Sequence, residues 1–229
     1  MPTNFIGGIS TAEAGDPLFD FGMPDPTKWI VYFNDFHTYA AGDWTITTTE
    51  AGAGSATEAL TDAQGGALLI TNDAADNDAD FFQLVGEGYK FVAGKKTIFK
   101  VRFQTSDATQ SDLVFGLQIK DTTPLAVSDG VYFRKDDGDA NIDFYVTKNS
   151  TSTSAAAIAT LSAATWTTLA FCYDGLSAVH YYVNDVRIGQ LATTNLVDDE
   201  EVTVSFGIQN GEAVAKTLTI DYIFAAQER

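Results

Sequence analysis

Apolar and polar residues alternate along most of this chain, and the alternation is clearest over residues 97–104. There Phe99, Val101 and Phe103 share one face, while Ile98, Lys100 and Arg102 share the other. Period two is the signature of a half-buried antiparallel strand. Similar runs occupy 67–71, 113–120, 130–134, 142–147, 166–173, 178–183, 186–190, 202–209 and 217–224. Turn chemistry separates them: Gly65-Gly66, Asp129-Gly130, Asp137-Gly138, Asp174-Gly175, Asn184-Asp185 and Asn210-Gly211. The firmest local expectation is a hairpin of 178–183 and 186–190, because Asn184-Asp185 tolerates the positive φ of a two-residue turn. Many short strands and no segment of helical period predict an all-β antiparallel β-sandwich, with no helix longer than about two turns. The uncharged stretch 149–173 reads as a Ser/Thr-rich loop followed by a strand, not as a membrane span.

The first residues break the pattern. Gly7, Gly8, Gly15, Pro17, Gly22, Pro24 and Pro26 exclude a regular helix or central strand, yet Phe5, Ile6, Leu18, Phe19, Phe21 and Trp29 are too apolar for a solvated linker. The expected partition is therefore an extended N-terminal arm, 1–28, and one sandwich domain, 29–229. Those six apolar residues are the candidates for contacts, either with the arm's own domain or with a neighbouring subunit.

Charge narrows the partners. The chain of 229 residues carries 13 Lys and Arg against 31 Asp and Glu, a net charge of −18. Nucleic acid needs clustered cations, and an anionic membrane surface repels such a chain, so neither is an expected partner. The single cysteine, Cys172, cannot form an internal disulfide and reads as a small strand hydrophobe. The N-terminus lacks the basic and apolar regions of an export signal, so the Asn149-Ser150-Thr151 glycosylation sequon carries little meaning.

Two resemblances sharpen the reading. The run Trp166 to Tyr173-Asp174-Gly175, followed by Tyr181-Tyr182-Val183-Asn184-Asp185, resembles laminin-G-like and concanavalin A-like sandwiches. Phe33-Asn34-Asp35-Phe36 with Trp44 resembles their opening and Leu218–Ile223 their closing strand, which implies a jelly-roll fold without fixing a function. A narrower run resembles virion structural proteins of tailed bacteriophages: Gly94-Lys95-Lys96 to Arg102, Gly116-Leu117, Thr122-Thr123-Pro124-Leu125, Phe133 to Asp139 and Gln209-Asn210-Gly211-Glu212. That resemblance implies a non-enzymatic capsid decoration or cement protein on the outer surface of the head. It would be made in the host cytoplasm, with the major capsid protein and further copies of itself as partners and with Phe5, Ile6, Leu18, Phe19, Phe21 and Trp29 as the capsid-contact candidates; a trimer would suit a threefold lattice position.

The acidic residues are the candidates for chemistry. Sandwich glycoside hydrolases place paired carboxylates on one strand as Glu-x-Asp-x-x-Glu, a motif missing from this sequence, so catalysis is not expected. No cofactor is expected either, with calcium the one candidate: Asp76, Asp78, Asp80 and Glu87 have the spacing of calcium-loop positions 1, 3, 5 and 12. Phe81 stands where an EF-hand needs glycine, which leaves a rim calcium site of another kind or a solvated acidic turn. His37 and His180 have no Cys, His or carboxylate partner at ligand spacing. The alternative function is a carbohydrate-binding lectin-like module, with Tyr132, Tyr145, Tyr181 and Tyr182 as its platform.

Overall fold

The computed structural model describes residues 26–229. In chain order the strands are β1 (Trp29–Asn34), β2 (Trp44–Thr49), β3 (Thr57–Leu60), β4 (Leu68–Thr71), β5 (Ala79–Leu84), β6 (Thr97–Thr105), β7 (Ser111–Gln118), β8 (Gly130–Lys135), β9 (Asn141–Lys148), β10 (Thr151–Thr160), β11 (Thr167–Tyr173), β12 (Ala178–Val183), β13 (Val186–Ala192), β14 (Thr203–Asn210) and β15 (Thr217–Glu228). Among the described residues the helical elements are three short 3-10 turns, and no helix is long and apolar enough to cross a membrane.

The strands form two antiparallel sheets. One runs β13-β12-β11-β6-β15-β4-β3, with β1 paired to the far end of β15; the other runs β10-β9-β8-β7-β14-β5-β2. Their inner faces share one core, in which Phe103 meets Phe115 across the sheets at 4.2 Å and Phe171 meets Phe133 and Phe144. The alternation read in β6 is realised residue by residue: Phe99, Val101 and Phe103 are buried, whereas Ile98, Lys100 and Arg102 lie half-buried on the outer face. The Asn184-Asp185 turn forms as expected, with φ of 49° and 65° and Val183 opposite Val186.

One segment departs from the sequence reading. Residues expected to be a Ser/Thr-rich loop form β10, the edge strand paired with β9. Asn149 and Ser150, at φ 48° and 61°, make the tight turn into it. A bulge at Ala157, φ 52°, is held by its N–H donating to Asp143 Oδ1 at 2.7 Å. An edge strand needs little apolar side chain, so it left no alternation to read.

Candidate functional site: a groove on the outer face of the seven-stranded sheet

Residues of the seven-stranded sheet that point away from the core form continuous cross-strand rows. Register aligns Thr47, Phe81, Gly207, Val114, Arg134 and Asp143 in one row. The adjacent row is Thr45, Gln83, Ser205, Gly116, Tyr132 and Tyr145. Two glycines in these rows have a spatial role. A Cβ on Gly207 would sit 2.4 Å from the Phe81 ring, and one on Gly116 would sit 2.4 Å from the Val131 carbonyl and 2.6 Å from Tyr132. Their bare backbones let Phe81 and Tyr132 lie against the sheet.

The 119–129 loop folds back over this face. Gln83 Nε2 donates to the Ile119 carbonyl and Gln83 Oε1 accepts from Asp121 N–H, both at 2.9 Å. Gln118 Nε2 donates to the Pro124 carbonyl and an Arg134 guanidinium N–H to the Leu125 carbonyl, each at 3.0 Å. Beneath the loop Val127 packs with Ala79, Phe81, Val114 and Tyr132 in a small second core. Three polar side chains of the sheet and one apolar plug therefore fix the loop.

Between this loop and β2 lies a groove. One part, about 280 Å³, is lined by Thr47, Thr49, Ala79, Phe81, Thr122–Ala126 and Gln209. The next, also about 280 Å³, is lined by Thr45, Thr47, Gln83, Lys120, Asp121 and Thr122. Both share Thr47 and Thr122, so they form one trough. Hydroxyls and amides make its rim, Phe81, Pro124 and Leu125 give it an apolar strip, and Lys120 and Asp121 are its charged residues.

Beyond the loop, Tyr132 and Tyr145 stack at 5.3 Å, and the Arg134 guanidinium lies over the Tyr145 ring at 4.9 Å while pairing with Asp136 at 2.7 Å. The four tyrosines proposed as a platform do not form one. Tyr132 and Tyr145 share this face, Tyr181 is in the core, and Tyr182 lies on the outer face of the other sheet.

The calcium candidates do not converge. Asp76 is exposed, and the Asp78 Oδ1 accepts from Ala51 N–H at 2.5 Å. Glu87, beyond the opposite end of β5, accepts from Lys120 N–H. Among the described residues no group of three His, Cys, Asp or Glu side chains is placed to hold a metal ion. Asp80 points inward, in phase with Phe82, and is fully buried. Its Oδ1 accepts from the Thr48 hydroxyl at 2.6 Å, while Oδ2 has no donor and faces the Glu58 carboxyl of the opposite sheet. Burial, only partly offset by the Thr48 bond, and the neighbouring charge of Glu58 push Asp80 up to about 7. Asp80 is thus a buried carboxyl at the sandwich edge that favours its protonated form, a feature the spacing argument missed.

Phe5, Ile6, Leu18, Phe19 and Phe21 lie outside the described residues, and Trp29 opens β1, half-buried. His37 stands 3.3 Å from Asp35 and His180 3.9 Å from Asp174, and neither belongs to a metal-holding group among the described residues. Burial raises the Cys172 thiol above its usual range, consistent with a structural strand residue.

No family model and no curated protein matches the chain. Solved structures do. An endo-1,3-β-glucanase from Streptomyces sioyaensis superposes with a TM-score of 0.61 at 14% identity, covering 90% of this chain and 99% of that one. A Bacteroides ovatus mixed-linkage-glucan GH16 protein in complex with its product gives 0.63 at 11%, covering 85% and 99%. The potassium-bound carbohydrate recognition domain of Emp46p gives 0.57 at 11%, covering 84% and 94%. The expectation that the chain is not an enzyme is corrected by these matches, because the architecture is one that glucan-cleaving proteins share. The missing Glu-x-Asp-x-x-Glu excludes one motif, not catalysis. None of these three is a virion protein, and identities this low speak for the fold alone. In architecture the chain is a jelly-roll β-sandwich of the concanavalin A-like kind.

Proposed function

We propose that the protein binds a saccharide chain in the groove between β2 and the 119–129 loop. The observation that carries this reading is the composition of the trough: hydroxyls and amides of Thr45, Thr47, Thr49, Thr122 and Gln209 beside the apolar strip of Phe81 and Leu125. A pyranose presents hydroxyl edges and C–H faces, and this lining offers a partner to each. The loop wall is fixed by Gln83, Gln118 and Arg134, so little ordering is required on binding. The fold shared with carbohydrate-binding and glucan-cleaving proteins supports the same ligand class.

The test is calorimetric titration of the chain with neutral gluco-oligosaccharides, repeated on Thr47→Trp, which fills the point where the two halves of the trough meet. Binding that weakens by about tenfold or more in the variant is expected, roughly the cost of blocking one well-packed subsite. Unchanged affinity in a folded Thr47→Trp protein would place the ligand elsewhere, and no binding to any neutral glycan would refute the reading. The virion-decoration reading rests on the sequence resemblance; counting copies of this chain per purified phage particle by mass spectrometry decides it.

A further inference from the structure

We propose that a second site, a basin where β1 begins and β15 ends, binds an acidic oligosaccharide carrying carboxylate or sulfate groups. Lys28, Lys95, Lys96 and Arg229 line this basin of about 750 Å³, together with Trp29 and the carboxylate of Glu228. Its size falls within the roughly 300–1,000 Å³ of small-molecule sites.

The unpaired cations among the described residues are concentrated in this basin. Of the 13 Lys and Arg side chains, six are paired with carboxylates, and Lys135 is buried with its ammonium on the carbonyls of Thr109 and Ser111. Six remain without an acidic partner among the described residues, and four of those six face this one basin. A chain with 31 carboxylates has ample means to neutralise them. Glu228 brings one negative charge into the lining, with its Oε2 accepting from the Lys96 N–H at 2.8 Å, and four cations against one carboxylate leave the lining positive. Arg229 is positioned by its Nε–H, which donates to the carbonyls of Pro26 and Trp29 at 3.3 and 3.2 Å, leaving the rest of the guanidinium for a ligand. Four like charges held together repel one another, and an incoming anion relieves that repulsion.

The rest of the molecule restricts which anion fits. At a net charge of −18 a bulky polyanion, such as duplex nucleic acid or a strongly acidic protein, meets repulsion over most of its surface. A thin chain that enters the basin brings its charges close to the lysines, while charges beyond about 8 Å are screened at physiological salt. The half-buried Trp29 indole supplies an apolar wall for a sugar ring. This site is separate from the β2 groove, and the proposal holds whether or not the groove binds neutral glycans.

The experiment titrates the full chain with an oligoglucuronate tetrasaccharide, a heparin-derived tetrasaccharide and a neutral glucan tetrasaccharide, at 50 and 200 mM NaCl. The variants are Lys28→Gln/Lys95→Gln/Lys96→Gln and, as a control outside the basin, Arg187→Gln. Binding of either acidic probe is expected to fall about tenfold or more in the triple variant, to weaken several-fold at the higher salt, and to survive Arg187→Gln. Binding of the glucuronate alone or the heparin fragment alone assigns the anion as carboxylate or sulfate. No binding of either acidic probe, equal binding by the triple variant, or a triple variant that changes only self-association in sedimentation would overturn the proposal. Neutral-glycan binding lost in Thr47→Trp but kept in the triple variant reports on the groove alone.

Discussion

Replacing Asp80 with asparagine removes the titratable carboxyl buried at the sandwich edge while keeping a side chain of the same shape. The folded protein holds Asp80 protonated up to about pH 7, whereas the unfolded chain releases that proton near 3.8. Between those values the folded state binds more protons, so stability falls as pH rises and levels off above about 7. At about 1.36 kcal/mol per pH unit the interval corresponds to an upper bound of about 4 kcal/mol, and relaxation of the exposed Thr48 side of the pair reduces it to about 2–4 kcal/mol. Asparagine mimics the protonated acid: its amide can donate to the Glu58 carboxylate and its carbonyl can accept from Thr48. Urea unfolding followed by tryptophan fluorescence, from pH 4.5 to 8, should therefore show a flatter stability profile for Asp80→Asn. At pH 8 the variant should be the more stable protein by about 2–4 kcal/mol. Parallel pH profiles for the two proteins, or a variant less stable at pH 8, would refute the protonation assigned to Asp80.

Other substitutions probe the loop ends and the sheet face. Lys216, almost fully buried, bridges Asp107 and Glu212 at 2.6 Å each. Lys216→Met leaves two facing carboxylates and should cost about 2–3 kcal/mol at pH 7, less than a fully buried pair because both acids keep some solvent. Burial opposes ionisation of Asp107, but the Lys216 ammonium and the N–H groups of Gln110 and Thr109 hold it down at about 2. Its contribution is present above pH 3.8 and lost as pH falls towards 2, so the variant should lose that acid-side dependence in unfolding measured at pH 7 and pH 3. Gly207→Ala should lower stability by about 1–3 kcal/mol in thermal unfolding, since the new methyl meets the Phe81 ring and the Asp80 carbonyl; an unchanged midpoint would contradict the packing described for that row.

How much of this was legible in the sequence depends on what each segment had to bury. β6, with Phe99, Val101 and Phe103 against the core, announces itself by alternation, and Asn184-Asp185 announces its turn by chemistry. β10 does not, because an edge strand of Thr, Ser and Ala packs lightly and its bulge at Ala157 breaks the period. Asp80 was misread for a different reason: its spacing to Asp76 and Asp78 suggested a calcium loop, whereas its phase with Phe82 placed it inward. An acid in phase with a buried aromatic was the available signal. The groove was invisible because it is assembled from β2, β5, β14 and a loop remote in sequence, and Thr47, Phe81 and Gly207 become neighbours only through strand register. The basin escaped notice likewise, as Lys28, Lys95 and Arg229 come together only when β1 pairs with β15.

The central claim is that the β2 groove is a saccharide site, and the most direct measurement is a crystal structure of the chain grown with a neutral gluco-oligosaccharide. The account predicts sugar density along the trough, with hydroxyls on Thr47 and Gln209 and a ring face towards Phe81 and Leu125. Density confined to another surface, with the trough holding only solvent, would contradict it.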